Sequence, residues 1–316
     1  MAGKPRVGIS ACLLGQKVRW DGGHKQEPYL KNSLGRHVEW IPICPEKELG
    51  FSVPRDPLQL KGDPQAPRLV VTPTAEDYTE RMRRWADKKL HELEDCQLCG
   101  FVFTSGSPSC GLRGVKVSPF AGGPPRRGTG VFARAFVKRF PNLPVMGEDD
   151  LSNGPVRERF IERMFVARRW WEFVAAGGPL EGLKDFHVAH ELLVASHDPQ
   201  IAASLARLVS RARSMPRHRL LDRYAELLMS ALSKDATPPK NAQVLMSAFA
   251  RLEDRLSSIE AGHVREVIGE YRKGDVPRLV PVVLLKHYVQ RFADPYLVRQ
   301  RYFDPYPVEL GLRART

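Results

Sequence analysis

Short apolar runs alternate with amphipathic stretches over the first 150 residues, and amphipathic stretches alone fill the rest. "RVGIS" at 6–10, the run at 38–43, "GFVFTS" from residue 100 and the run at 143–146 are brief, apolar and bounded by Pro, Gly, Ser or Cys. Such length and punctuation predict strands. "RLVVTP" is a further short apolar run, stopped by proline. Between these runs Tyr78, Met82, Trp85, Leu90 and Leu93 recur near the helical period behind an acidic opening, which predicts a helix within 75–96. "GTGVFARAFVKRF" predicts another helix after a glycine-rich entry. Strands alternating with helices predict an α/β domain with a doubly wound, mostly parallel, Rossmann-like sheet. Ligands of such sheets bind beyond the carboxyl ends of the strands.

From residue 151 the alternation stops. "NGPVRERFIERMFVARRWWEFVAA" reads as a helix after a linker, and further helices are predicted at about 180–195, 199–213, 217–232, 240–261 and 263–271, then across "LVPVVLLKHYVQRF". No repeat at solenoid spacing is present. The proline-rich end, with "DPY" twice, predicts an extended tail. The chain thus divides into an α/β domain, 1–150, and a separate all-α domain, 151–316.

Composition supports two real cores: 42% of the 316 residues are hydrophobic and 27% charged. No apolar run reaches the roughly 18 residues that would span a bilayer, and "MAGKPRVGIS" lacks the apolar core of a signal peptide. The expectation is a cytoplasmic protein with no membrane partner. Thiols stay reduced there, so the five cysteines read as metal ligands, catalysts or core residues and not as disulfides. The net charge of +13 is shared, with 23 Lys/Arg against 17 Asp/Glu in 1–150 and 26 against 19 in 151–316. A basic chain of this kind suits a polyanionic partner, and equally a merely arginine-rich surface.

Cys12, Cys44 and Cys110 each end an apolar run and begin a loop, just past predicted strands. Convergent thiolates suit a soft metal, whereas structural zinc usually takes four ligands with local C-x-x-C pairs. Cysteine is also among the most buried residue types. On spacing alone, three ligands of one centre and three core side chains both remain open. Cys96 and Cys99 form "CQLC", but this closes a helix and precedes a strand, the reverse of a thioredoxin motif; packing is their expected role. His187 and His190 lack the H-E-x-x-H order of a zinc helix and read as core or surface residues. "GTGVFARAF" falls short of G-x-G-x-x-G and no P-loop is present, so no nucleotide cofactor is expected.

"SACLLGQKVRWDGGHK", "PICPEKELGFSVPR" and "SGSPSCGLRGVKV" together resemble the signature blocks of the thiouracil desulfidase (TudS) family, across about residues 5–147. The second half resembles the YbgA-like helical domain, and the fused architecture is similar to that of RudS-type tRNA 4-thiouridine desulfidases. The resemblance implies a 4Fe–4S cluster held by Cys12, Cys44 and Cys110, with one iron open to the substrate's sulfur. It implies hydrolytic removal of sulfur from 4-thiouridine in tRNA, giving uridine and hydrosulfide. Water attack at C4 then needs a base. Glu46, two residues past Cys44, is the expected one, with Glu48 the alternate. Ser105, Ser107 and Ser109 are expected to orient water or substrate, or else to cap turns.

Phosphate contacts are expected from Lys25, Arg55, Arg113, Lys116, Arg126 and Arg127 around the cysteines. The run "RLVSRARSMPRHRLLDRY" adds Arg211, Arg213 and Arg217, either as a phosphate-tracking patch or as a solvated helix face. Tyr288, Tyr296, Tyr302 and Tyr306 fit base stacking or core packing equally. Trp170 and Trp171 are adjacent, so at most one faces a core. Two rival functions stand beside tRNA desulfidation: desulfidation of free thiouracil bases, and non-catalytic nucleic-acid binding with a structural metal.

Overall fold

A computed structural model describes residues 3–310. The chain forms two compact units that divide between Phe160 and Ile161. The division falls inside a helix, beyond the linker read at residue 151.

The described residues of the first unit form eight strands: β1 (Arg6–Ser10), β2 (Glu39–Ile43), β3 (Leu58–Lys61), β4 (Arg68–Val71), β5 (Leu98–Phe103), β6 (Val115–Ser118), β7 (Arg126–Gly128) and β8 (Val145–Gly147). Its helices are α1 (Pro45–Glu48), α2 (Thr79–Glu94) and α3 (Val131–Arg139). Four strands make an all-parallel sheet in the order β2-β1-β5-β8. From β1 the chain goes first to β2 on one side and later to β5 on the other, so the order reverses between β1 and β5. This is the predicted parallel α/β sheet, and its switch point lies where Ser10 and Thr104 leave the two central strands.

Packing fixes the sheet against α2 and α3. Ile43, Leu98, Phe101 and Phe103 of the sheet bury against Ala86, Leu90 and Leu93 of α2 and Phe132 and Phe136 of α3. The Phe101 ring lies over β1 at Gly8, where a Cβ would sit 2.2 Å from a ring carbon. Any side chain at position 8 would therefore displace the central aromatic ring. Cys96 and Cys99 belong to this region. Cys99 is fully buried in β5, and Cys96 packs at the edge of the core that Phe101 and Phe136 share.

The remaining strands form a second sheet, β4-β3-β6-β7, in which only the β3–β6 pair is parallel. The hydrophobic pattern of the sequence does not announce this sheet. Its inward residues Leu60, Leu69, Val115 and Val117 meet Leu49, Met82 and Val131.

The second unit is all-helical, as the pattern predicts. It takes most of α4 (Gly154–Ala175), followed by α5 (Leu180–His197), α6 (Pro199–Ser210), α7 (Arg217–Leu232), α8 (Pro238–Ala250), α9 (Ser258–Lys273) and α10 (Leu279–Phe292). The helix expected over 240–261 is two elements. The chain breaks after Ala250, and α9 begins at a capping box in which Ser257 and Glu260 satisfy each other's backbone N–H groups. The tail is not a free extended strand: Leu297–Arg299 is a turn of 3₁₀ helix, and Tyr302 and Phe303 are buried. Among the described residues no helix is long and apolar enough to cross a membrane.

Candidate active site

All four parallel strands deliver polar or thiol side chains at their carboxyl ends. β1 ends at Ser10 and leads to Cys12. β2 leads to Cys44 and then Glu46 in α1. β5 leads to Thr104, Ser105 and Cys110, and β8 to Glu148. Cys12, Cys44 and Cys110 open onto one cavity of about 400 Å³, which Ser10, Glu46, Thr104 and Ser105 also line.

The loop carrying Cys110 is held rigidly. Ser107 Oγ accepts from the backbone N–H groups of Ser109 (3.3 Å) and Cys110 (3.0 Å). The first turn of α3 donates to the same loop, Val131 N to Pro108 O (3.1 Å) and Phe132 N to Ser109 O (3.0 Å). Gly130 permits that approach, since a Cβ there would stand 2.6 Å from the Ser109 carbonyl oxygen. The glycine-rich entry "GTG" therefore serves the cysteine loop, and these N–H groups are already engaged.

Glu46 is held from both sides. Ser109 Oγ donates to its Oε1 at 2.8 Å. Arg55 donates to its Oε2 through Nε at 3.0 Å and Nη2 at 2.5 Å. The two side chains of this pair are 5% and 13% exposed, so the interaction is shielded from water. Arg55 Nη2 also reaches the Val18 carbonyl at 2.9 Å, and the Arg55 N–H donates to Trp20 O at 2.9 Å. One arginine thus ties the carboxylate to the loop that follows Cys12. Glu48 instead pairs with Lys89.

All three thiols are pushed toward their neutral form. Burial raises Cys12, raises Cys44 to about 11 and raises Cys110 well above its ordinary value. Behind burial, Cys110 feels the charges of Cys44, Glu46 and Cys12, while its hydrogen bond with Ser10 acts the other way. Cys12 is hydrogen-bonded with Thr104, which opposes its burial. A bound cation reverses this logic, because a coordinating thiol is deprotonated. Among the described residues no three His, Cys, Asp or Glu side chains close on a position for a single ion. The donor set is nonetheless three soft sulfurs facing one cavity.

The other expected residues are placed as follows. Ser105 lines the cavity. Ser109 is fully buried and does not line the cavity; its hydroxyl reaches the site only by its hydrogen bond to Glu46. Arg55 lines the cavity, but its guanidinium is engaged by Glu46, Val18 and Ser52, which leaves it unsuited to phosphate. Lys25 lines the cavity in an ion pair with Glu148. Arg113, Lys116, Arg126 and Arg127 are exposed and do not line it. Arg113 pairs with Asp150, and Arg127 donates to Gly114 O at 2.9 Å.

Ser10, Thr104 and Glu148 were not singled out from sequence. Glu148 Oε2 accepts from Thr104 Oγ1 at 2.7 Å and from Ser105 N at 3.2 Å, and Thr104 N donates to Ser10 Oγ at 3.0 Å. Their common signal is position, at a parallel strand's last residue or the one after it.

In the helical unit the candidate histidines are core groups. His190 contacts Phe186 O at 2.8 Å and accepts from Arg169 Nε at 2.9 Å, while His187 meets Tyr224 OH at 3.2 Å. Tyr288, Tyr302 and Tyr306 are buried and pack in the core, whereas Tyr296 is half-buried, donating to Glu191 at 2.9 Å with the Arg251 guanidinium 4.7 Å from its ring centroid. Trp170 is buried and Trp171 half-buried. Arg211, Arg213 and Arg217 are exposed, with Arg217 Nε donating to Gly178 O at 3.0 Å.

Residues 7–148 match a family model described as 2-thiouracil desulfurase, and residues 191–307 match DUF1722, a protein family of unknown function. The chain is 27% identical over 132 residues to YbgA of Escherichia coli (strain K12), spanning 42% of this chain and 78% of that protein. It is 27% identical over 150 residues to YbbK of Bacillus subtilis (strain 168), spanning 46% of this chain and 97% of that protein. Among solved structures, the 4Fe–4S-dependent thiouracil desulfidase TudS is similar at 30% identity and a TM-score of 0.39, covering 48% of this chain and 95% of that one.

Proposed function

The N-terminal domain of this chain belongs to the 2-thiouracil desulfurase family and is followed by a DUF1722 domain; from that premise we propose that the protein is a 4Fe–4S-dependent desulfidase that converts 4-thiouridine in tRNA to uridine and hydrosulfide. The observation that carries the reading is the convergence of Cys12, Cys44 and Cys110, beside Glu46, on one cavity at the sheet's switch point. Three thiols facing one cavity fit a cluster held by three cysteines, with one iron left for substrate.

Cys12, Cys44 and Cys110 would hold the cluster, releasing their thiol protons on binding it. Bound there, it supplies a soft Lewis acid for a thiocarbonyl sulfur. Glu46 takes a proton from water as the water oxygen bonds to C4 and the C4–S bond breaks. The net change is hydrolysis, with no external oxidant or reductant. Ser109 and Arg55 fix the carboxylate's orientation, so little reorganisation accompanies proton transfer. Ser105, on the cavity wall, is placed to orient the water or the pyrimidine.

The tRNA substrate rests on charge. The second half carries 26 Lys/Arg against 19 Asp/Glu, and Arg211, Arg213 and Arg217 are exposed on or beside α7. Each phosphate contact releases counterions, so log affinity should fall with log salt by roughly 0.7–0.9 per contact. Replacing Arg211, Arg213 and Arg217 with Ala should weaken tRNA binding and flatten that slope, with free thiouracil turned over at the wild-type rate. A wild-type protein that desulfurises free thiouracil, leaves thiolated tRNA untouched and shows no salt dependence overturns the tRNA reading in favour of a free base.

A further inference from the structure

Trp20 is a large aromatic side chain left 46% exposed at the cysteine cavity, which it helps to line. Among the described residues no aromatic ring packs on it, whereas Trp85 lies 5.3 Å from Phe132 and Trp170 stacks on Tyr224 at 5.2 Å. Its exposure is built and not incidental. The turn that presents it is closed by Gly22 N to Arg19 O (3.0 Å) and Arg19 N to Gly23 O (3.3 Å), with Asp21 Oδ1 accepting from Gly23 N at 2.9 Å. Its own carbonyl is anchored by the Arg55 N–H, on the same residue that holds Glu46. The backbone that carries the ring is therefore tied to the residue that holds Glu46.

We infer that Trp20 is a stacking platform at the cavity's rim for the nucleobase next to the thiolated one in an RNA strand. The inference rests on the proposed desulfidase reading and deepens its substrate class. A pyrimidine that brings its C4 to the cysteines occupies the inner cavity and leaves its sugar and flanking nucleotide at the mouth. There an exposed indole with no ring packed on it among the described residues offers a sequence-tolerant face for a neighbouring base. Arg19 and Lys25 also line the cavity and are partly exposed, each in an ion pair, with Asp21 and Glu148 respectively, that a connecting phosphate would have to compete for.

The test compares wild type, Trp20→Ala and Trp20→Phe on free 4-thiouracil and on a trinucleotide with a central 4-thiouridine. Trp20→Ala should raise KM for the trinucleotide about 5- to 150-fold, the worth of one base–aromatic stack, with kcat and the free-base KM unchanged. Trp20→Phe should restore most of the loss. An equal rise for both substrates, or no rise for the trinucleotide, overturns the inference. Quenching of tryptophan fluorescence by the sulfur-free trinucleotide, present in wild type and absent in Trp20→Phe, reads the platform without chemistry. If that quenching occurs while thiolated RNA goes unprocessed, the platform stands and the proposed function fails; if the wild type shows no quenching, the platform itself is refuted.

Discussion

Ser109 donates its hydroxyl hydrogen to Glu46 Oε1 at 2.8 Å, joining two residues 63 positions apart in sequence. Ser109 is fully buried beside Cys110, and Glu46 lies two residues past Cys44. The contact therefore locks two of the cysteine loops to each other and sets the carboxylate's angle at once. Ser109→Ala should lower kcat about tenfold, the worth of one hydrogen bond to a charged group, with KM near wild type. Glu46→Gln should cost on the order of 10²-fold or more. Steady-state kinetics on 4-thiouracil check both, and an unchanged kcat in Glu46→Gln would remove Glu46 from the mechanism.

Arg55 anchors the other carboxylate oxygen and the Val18–Trp20 loop. Removing it strands a carboxylate that is 13% exposed. Arg55→Ala should destabilise the α/β domain by about 3–5 kcal/mol, as breaking a buried pair does. Arg55→Lys should recover only part, because lysine cannot reproduce the fork. Urea unfolding measures both; a loss under about 1 kcal/mol would show that the pair behaves as a surface contact.

The helical domain offers a pH-dependent test away from the cysteines. Asp198 caps α6, its Oδ1 accepting from Gln200 N at 2.9 Å and Ile201 N at 3.0 Å, with Lys234 at 3.0 Å from its Oδ2. Burial opposes its charge, but these hydrogen bonds and Lys234 outweigh burial and hold its carboxyl below the ordinary value. A depressed folded-state value stabilises the fold above the unfolded value and is lost as pH falls through the folded one. Asp198→Asn should therefore be less stable than wild type near neutrality, and the gap should close as pH drops below about 4. Thermal unfolding across pH checks this; a gap independent of pH would assign the effect to shape alone.

The cysteines were legible because each follows an apolar run whose strand character is plain, and parallel α/β sheets gather such positions at one edge. Ser10, Thr104 and Glu148 obey the same rule but carry no marker in composition. The second sheet escaped because β3, β4, β6 and β7 are three or four residues long and lie among Pro and Gly, too short for an alternation to declare itself. The break between α8 and α9 was hidden by apolar residues on both sides, although Ser257 and Glu260 spell a capping box. For the basic residues, sequence shows charge but not engagement: Arg55 is committed to Glu46, while Lys116 and Arg126 sit on a sheet whose existence was not read.

The central claim is that Cys12, Cys44 and Cys110 together hold the cluster that desulfidation needs. The direct measurement is iron and acid-labile sulfide per chain, with 4-thiouracil turnover, on anaerobically purified wild type, Cys12→Ala, Cys44→Ala, Cys110→Ala and the double variant Cys96→Ala/Cys99→Ala. The account predicts about four irons and four sulfides in wild type and in the double variant, both active, and loss of cluster and turnover in each of the three single variants. Full iron and turnover in Cys12→Ala, Cys44→Ala or Cys110→Ala, or loss of the cluster in the Cys96/Cys99 variant alone, would contradict it.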